Sequence, residues 1–421
     1  MVHVVTAFLR HGGRILLTRR SDAAGTYPGK WAGVSGYIEG KPTAAIEDAR
    51  RELEEEVGVT DATLVCAGTP MSVTDGDREW TVHPFLFDVA DRAVVTNDEL
   101  AETEWVHPTA MLERETVPEL WATYRLVAPT VETVHEDETH GSAWLSIRAL
   151  EVLRDAAAEA ASWEVVVSVA RQLRDVRPSM AAIATRVNRV MTAADGDVTK
   201  LHHQAENVLD DAVVADEVAA TEAARLLSED EFDRVATLSR SGTVLAALEK
   251  ATPAVLLPES RPGAEGISVA TELAAHGIDT TLTTDAALPG LVAAGDCDVV
   301  LIGADAVLSS GAVVNKVGSF PVALAATRAE IPVFAICAQD KIRGDDEFVS
   351  ETGESLSEGA KSVTTENPVF EVVPADLVTG VVTENGTLES SDVASVANEH
   401  AALAAWDDEV GENRRRDEPD Q

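Results

Sequence analysis

Lysine is scarce in this chain: seven residues beside 26 arginines, set against 73 acidic side chains and a formal net charge of −40. No basic patch offsets that acid, which excludes free-standing DNA or RNA binding. A nucleotide or sugar phosphate can still be held locally by a few cations and backbone amides. Cysteine is equally sparse. Cys66, Cys297 and Cys337 lie far apart and match no zinc spacing, so they are expected as reduced core residues. No apolar run reaches transmembrane length. The first residues, MVHVVTAFLRHGGRILLTRR, read as strand, Gly-Gly turn and strand rather than as a signal peptide. These absences together lead us to expect a cytoplasmic protein with no membrane partner. Aromatics make up only 4% of the chain, but 45% of its residues are hydrophobic, enough to build cores and exclude an acidic disordered polymer.

Abundant Asp and Glu with little Lys resembles the cytosolic proteins of salt-in halophiles, haloarchaea among them, where high salt screens self-repulsion. The length of 421 residues suggests two or three domains. Residues 1–128 read as an α+β domain, with a hairpin around His11-Gly12-Gly13 and a helix from about Thr43 to Val57 closed by Gly58. Residues 138–230 are Ala-rich and helical. Over 231–403, apolar strands alternate with helices, the pattern of an α/β, Rossmann-like parallel sheet. FDRVATLS, AVLLPES, DTTLTTD, DVVLIGAD and VFAICA are its strand candidates. The polar stretch 404–421 is expected as a disordered tail.

The stretch RRELEEEVGV, residues 50–59, carries four glutamates in five positions. At roughly 100° per residue, Glu52, Glu55 and Glu56 share one face of a helix, while Glu54 points elsewhere. Leu53 and Val57 make a separate apolar face. Clustered carboxylates suit Mg²⁺ or Mn²⁺; they equally suit a solvated acidic surface. The residues around them bear on the choice. Arg51-Glu52-Leu53-Glu54-Glu55-Glu56-Val57-Gly58-Val59 resembles the second half of the Nudix hydrolase box, G-x5-E-x7-R-E-U-x-E-E-x-G-U, at every specified position. Tyr27-Pro28-Gly29-Lys30-Trp31 is similar to the family's lead-in. The first half departs: Gly36 to Arg51 is one residue longer than the pattern. Lys41-Pro42-Thr43 stands where the first glutamate belongs, and Glu39 is the nearest carboxylate.

That resemblance implies hydrolysis of a nucleoside diphosphate linked to another moiety. Glu52, Glu55, Glu56 and the Gly36 carbonyl would hold Mg²⁺ or Mn²⁺, and Arg51 would orient a neighbouring carboxylate. One of these glutamates, or one outside the box, would take the proton from water. Trp31, Trp80 and Arg78 are candidates for stacking on a base.

In the second half, polar residues gather at the ends of the expected strands, where open parallel sheets bind ligands. Leu238-Ser239-Arg240-Ser241-Gly242 leads from a strand into a helix, and its amides suit a phosphate. Glu259-Ser260-Arg261-Pro262, Gly303-Ala304-Asp305, Asn315-Lys316 and Lys341 follow. These motifs, with Arg177-Pro178-Ser179-Met180, resemble the initiation factor 2B alpha/beta/delta family over 138–400. Its relatives include ribose-1,5-bisphosphate isomerase and methylthioribose-1-phosphate isomerase.

The likeness implies a ligand site for a sugar phosphate or nucleotide built from Arg177, Ser239, Arg240, Ser241, Arg261, Asp305, Asn315, Lys316 and Lys341, and implies a homodimer. Asp305 matches the isomerases' proton-moving aspartate. Ser239 stands where they carry a cysteine, and His140-Gly141-Ser142-Ala143 stands where they carry an arginine-bearing phosphate turn. Both departures argue against isomerase chemistry. The leading expectation is a Nudix hydrolase fused to a sugar-phosphate- or nucleotide-binding region. The alternatives are a non-catalytic regulatory or ligand-sensing protein, and a sugar-phosphate isomerase.

Overall fold

A computed structural model describes residues 2–353 and 364–407. The chain divides into two compact units: residues 1–130 with 151–160, and residues 131–150 with 161–421.

The first unit is built on an eight-stranded sheet. The Gly12-Gly13 turn joins β1 (Val2–His11) to β2 (Arg14–Arg20), as expected for an antiparallel hairpin. The other strands are β3 (Trp31–Ala32), β4 (Val34–Tyr37), β5 (Thr63–Ala67), β6 (Met71–Asp75), β7 (Arg78–Asp88) and β8 (Leu100–Val106). β1 runs parallel to β7 and antiparallel to β4, in a register that sets Val5 beside Gly36. On one face, α1 (Ala45–Val57) packs Ala45, Ala49, Leu53 and Val57 against Val5, Leu9, Val34 and Phe87. Gly58 ends α1 in the left-handed conformation, with its N–H on the Glu54 and Leu53 carbonyls. On the other face lie Phe8, Ile15, Leu86 and Tyr124, the last from α2 (Leu120–Arg125).

In the second unit α3 (Val131–Glu136) precedes α4 (Ser142–Glu159), whose C-terminal residues from Glu151 onward belong to the first unit. Helix α4 therefore contributes residues to both units. Arg154 and Asp155, both fully buried, explain the assignment. Arg154 Nη1 donates to the Gly13 carbonyl at 2.9 Å, and Arg125 Nη1 pairs with Asp155 Oδ2 at 3.1 Å. The helical part continues with α5 (Trp163–Asp175), α6 (Ala181–Ala194) and α7 (Val198–Glu229).

A seven-stranded sheet follows, in the order β11-β10-β9-β12-β15-β17-β18. Its strands are β9 (Arg234–Ala236), β10 (Ala254–Pro258), β11 (Thr280–Thr283), β12 (Val299–Gly303), β15 (Val333–Ile336), β17 (Gly380–Thr383) and β18 (Gly386–Leu388). All pairings are parallel except β17 with β18. The five expected strands are all present. A small antiparallel sheet of β13 (Ala306–Val307), β14 (Val313–Lys316) and β16 (Phe370–Val373) was not expected; it contains Asn315-Lys316, expected among the polar residues that follow the strand ends. The connecting helices are α8 (Gly242–Ala251), α9 (Glu265–Ala275), α10 (Leu288–Ala293), α11 (Ser319–Arg328) and α12 (Ser390–Leu403). The strand order reverses between β9 and β12, where doubly wound sheets open a ligand crevice.

Residues 408–421 of the expected tail lie outside the described residues. The preceding four belong to the fold: Trp406 is buried with Nε1 on Asn188 Oδ1 at 2.9 Å, and Asp407 pairs with Arg171 and Arg174. No helix among the described residues is long and apolar enough to cross a membrane.

Candidate functional site

Two rows of α1 are buried at four-residue spacing. The apolar row, Ala45-Ala49-Leu53-Val57, fills the core; beside it runs a carboxylate row, Asp48-Glu52-Glu56. Glu52 and Glu56 are thus brought together as expected. Glu55 remains outside, 58% exposed, with Oε2 3.7 Å from Arg51 Nη1. Glu54 is exposed. Asp48 was missed by the sequence reading, although its three-residue spacing from Arg51 was a usable signal.

Arg51 organises this row. Its Nη2 meets Asp48 Oδ1 and Glu52 Oε1, each at 3.0 Å, and donates to the Tyr37 carbonyl at 3.1 Å. Glu39, the substitute for the missing first glutamate, lies 3.3 Å from Arg51 Nη1 but is exposed. The buried partners of the arginine are Asp48 and Glu52.

Gly36 sits directly under Glu52: a Cβ there would fall 2.0 Å from Glu52 Oε1. Only glycine leaves room for this carboxylate against β4. Burial is the largest influence on both acids. It raises the Glu52 pKa above the ordinary value, opposed by Arg51 and assisted by Glu55, Glu99 and Asp48. Glu56 is pushed up to about 8 by burial, then by Glu52 and Glu99, against Arg20 and a backbone hydrogen bond from Ser35. Glu56 Oε2 is buried and has no hydrogen-bond partner among the described residues. Glu99, in the loop before β8, is a further carboxylate that the box pattern gave no reason to select.

An orphaned carboxylate oxygen, a second buried carboxylate and a glycine cradle make a donor set of hard oxygens. It fits Mg²⁺ or Mn²⁺. Of the aromatic candidates, Trp80 lines a cavity beside β4, the Arg78 guanidinium lies 5.8 Å from the Tyr27 ring, and Trp31 lies under Arg114 at 4.6 Å. A separate cluster on α7, His202, His203 and Glu206, has its donor atoms within 4.8 Å of one another.

The second site lies at the reversal of the parallel sheet. Asp305 follows β12, and Lys341 is buried beside it, its Nζ donating to the Ala304 carbonyl at 2.8 Å. Burial is the largest influence on Asp305 and raises its pKa, opposed by Lys341, the nearby Ser142 hydroxyl and Lys316. Ser142 belongs to the His140–Ala143 stretch, so that turn does reach the site. Ser239 follows β9 with φ of +63°, a left-handed conformation uncommon outside glycine. Its Oγ donates to Glu265 Oε1 at 2.6 Å, and the same oxygen pairs with Lys316 Nζ at 2.8 Å. Glu265, in the first turn of α9, was missed by the sequence reading.

Ser241 caps α8 and, with Asn315, closes around Gly303; Asn315 Nδ2 donates to Ser319 Oγ at 2.9 Å. Arg177 holds the Val134 and Asp137 carbonyls and pairs with Glu351 at 3.7 Å. Two expected ligands are engaged elsewhere: Arg240 is exposed and pairs with Glu272, and Arg261 is exposed and pairs with Glu259. A surface ion pair in solvent satisfies each guanidinium where an inward turn would have to desolvate it.

Residues 138–390 match the Initiation factor 2 subunit family, and residues 1–127 match the NUDIX domain. A Nocardia farcinica protein named as a bifunctional methylthioribose-1-phosphate isomerase/methylthioribulose-1-phosphate dehydratase is 36% identical over 267 residues, 56% of this chain. The chain spans only 48% of that protein's length. A Synechococcus methylthioribose-1-phosphate isomerase is 31% identical over 57% of this chain and 82% of its own. The crystal structure of Pyrococcus horikoshii translation initiation factor eIF-2B superposes with a TM-score of 0.54 at 25% identity, over 61% of this chain and 94% of that one. The argument against isomerisation drawn from Ser239 finds no support in relatives that are named isomerases. The matched spans, with the α/β sheet and the glutamate-bearing helix, lead to one assignment: the chain belongs to the Initiation factor 2 subunit family and carries a NUDIX domain at its N-terminal side.

Proposed function

We propose that the first unit hydrolyses the diphosphate of a nucleoside diphosphate linked to another moiety. The observation that carries this reading is the buried pair Glu52 and Glu56, set on Gly36 and braced by Arg51. Glu52 and Glu56, with the Gly36 backbone and Glu55 at the rim, would hold Mg²⁺ or Mn²⁺, which when bound supplies charge neutralisation at phosphorus. Arg51 keeps Glu52 turned toward β4, and Arg20 and the Ser35 amide draw Glu56 toward the same strand. Glu99 acts electrostatically on both acids from outside the box, and we assign it the proton taken from the attacking water.

Mass spectrometry of products from nucleotide sugars, dinucleoside polyphosphates and nucleoside triphosphates tests the reading, with Mg²⁺ at high salt. Cleavage by the parent that is lost in Glu55→Gln and Glu56→Gln is the expected result. No cleavage of any compound by folded protein overturns it.

A second reading concerns the other unit, favoured by Asp305 at the sheet reversal, within electrostatic reach of Lys341 and Lys316. It binds a sugar phosphate, and the isomerase names of its relatives make aldose–ketose conversion the chemistry to test there. A homodimer, as the family likeness implies, is checked by light scattering.

A further inference from the structure

We infer that Glu351 is a built-in anion: it occupies the donors that a ligand phosphate needs in the second site, and must be displaced before a phosphorylated sugar binds. This rests on the sugar-phosphate reading above and names what holds that site in check. The carboxylate is met by two side chains of one turn. Arg177 Nη1 lies 3.7 Å from Glu351 Oε2, and the Ser179 hydroxyl donates to Glu351 Oε1. A guanidinium at one oxygen and a hydroxyl at the other is a donor set that equally suits two oxygens of a phosphate.

The turn belongs to the site. The Ala181 amide, just beyond it, donates to the Asp305 carbonyl at 3.1 Å, and Glu351 acts electrostatically on the Asp305 carboxyl. Arg177 Nε and Nη2 hold the Val134 and Asp137 carbonyls, so Nη1 is the nitrogen turned to the anion.

Glu351 reaches these donors from outside the regular elements. Residues 343–351 form neither helix nor strand. Ser350 and Thr352 are exposed on either side, while the Glu351 side chain between them is only 24% exposed. Backbone bonds tie this strap to the chain before β16: Val369 N–H to the Glu351 carbonyl at 2.9 Å and Gly353 N–H to the Asn367 carbonyl at 2.8 Å. Gly353 also packs on the turn after β10, where an added Cβ would fall 3.0 Å from Pro262 Cγ. The strap thus touches both the Arg177 turn and the β10 turn.

The ion pair that holds it can yield. At 3.7 Å it exceeds hydrogen-bond length, and both partners keep some exposure, where such pairs contribute little. A phosphate monoester brings about two negative charges and three acceptor oxygens, more than a carboxylate offers the same donors. Until it displaces Glu351, its apparent affinity is lowered by the fraction of molecules in which the donors stand open.

Calorimetric titration of the full chain with ribose 5-phosphate, and separately with inorganic phosphate, provides the test. The parent is compared with Glu351→Gln and with Glu347→Gln, which removes one charge from an exposed position of the same strap. Glu351→Gln should bind ribose 5-phosphate about fivefold more tightly than the parent, and Glu347→Gln within about twofold of it. Unchanged or weaker binding by Glu351→Gln overturns the proposal. Equal tightening in both variants also overturns it, because the effect is then charge acting at a distance. Failure of the sugar-phosphate reading looks different. Inorganic phosphate then binds Glu351→Gln more tightly than the parent, and ribose 5-phosphate binds no better than inorganic phosphate. Binding of neither anion by any of the three proteins removes both.

Discussion

Replacing Glu56 by glutamine in cation-free protein deletes a carboxyl group whose ionisation the fold resists. Its pKa is held at about 8 in the folded chain against an ordinary 4.5. Folding is therefore favoured while this group is protonated. The contribution is fully present below pH 4.5 and is lost as pH rises through about 8. At about 1.4 kcal/mol per unit, the full difference amounts to about 5 kcal/mol once the carboxyl is ionised in both states. Integrated to neutrality it is already about 3 kcal/mol. Glu56→Gln should thus match the parent near pH 4, exceed its stability by about 3 kcal/mol at pH 7 and by about 5 kcal/mol near pH 9. Hydrogen-exchange mass spectrometry on peptides from β1 and β7 reports the first unit alone. Saturating Mg²⁺ should close most of the gap by stabilising only the parent. Parallel pH curves for the two proteins between pH 5 and 9 would refute the reasoning, since the buried carboxyl would then carry no strain.

Gly36→Ala leaves the fold intact, because the Glu52 side chain can swing away from the new Cβ. Divalent-cation affinity should fall about 10–100-fold, as for other supports of metal ligands, read by Mn²⁺ titration. Asp155→Ala strands the fully buried Arg154 and should cost the first unit about 3–5 kcal/mol in urea denaturation. Lys316→Met removes a charged donor from the second site and should weaken ribose 5-phosphate there by about 10–100-fold in calorimetry. Ser239→Cys restores the thiol of the isomerases; gain of aldose–ketose conversion of methylthioribose 1-phosphate or ribose 1,5-bisphosphate is the expected outcome. Failure of both parent and variant to bind or convert either sugar removes the isomerase reading.

Local patterns carried much of this architecture into the sequence. The four-residue apolar row and Gly58 defined α1, and five apolar runs defined five strands of the parallel sheet. What stayed hidden was set by distant pairing. Helical geometry groups Glu52, Glu55 and Glu56, but the docking of α1 buries the row Asp48-Glu52-Glu56 and leaves Glu55 in solvent. The register of β1 with β4 brings Gly36 under Glu52, and no spacing rule within the box contains that contact. Asn315-Lys316 gave no strand signal, because two of the four residues of β14 are polar. Pairing of β14 with β13 and β16 overrides that local preference. Arg240 and Arg261 were drawn into the expected site by their place at strand ends; both are exposed and paired with Glu272 and Glu259.

The second site gains a different meaning from Glu265. A hydroxyl at position 239 is a poor proton donor or acceptor near neutrality, and alone it would leave Asp305 without a counterpart across the crevice. Ser239 is not alone: its Oγ donates to Glu265 Oε1, which Lys316 also engages. Two carboxylates are therefore set among lysines here: Asp305, under the influence of Lys341 and Lys316, and Glu265, paired with Lys316. Their environments differ. Burial holds Asp305 toward its protonated form, while Glu265 accepts a hydroxyl hydrogen bond and pairs with an ammonium. The hydroxyl that stands in place of the thiol thus hands its hydrogen bond to Glu265, so the absence of a cysteine does not by itself exclude the isomerase reading tested by Ser239→Cys.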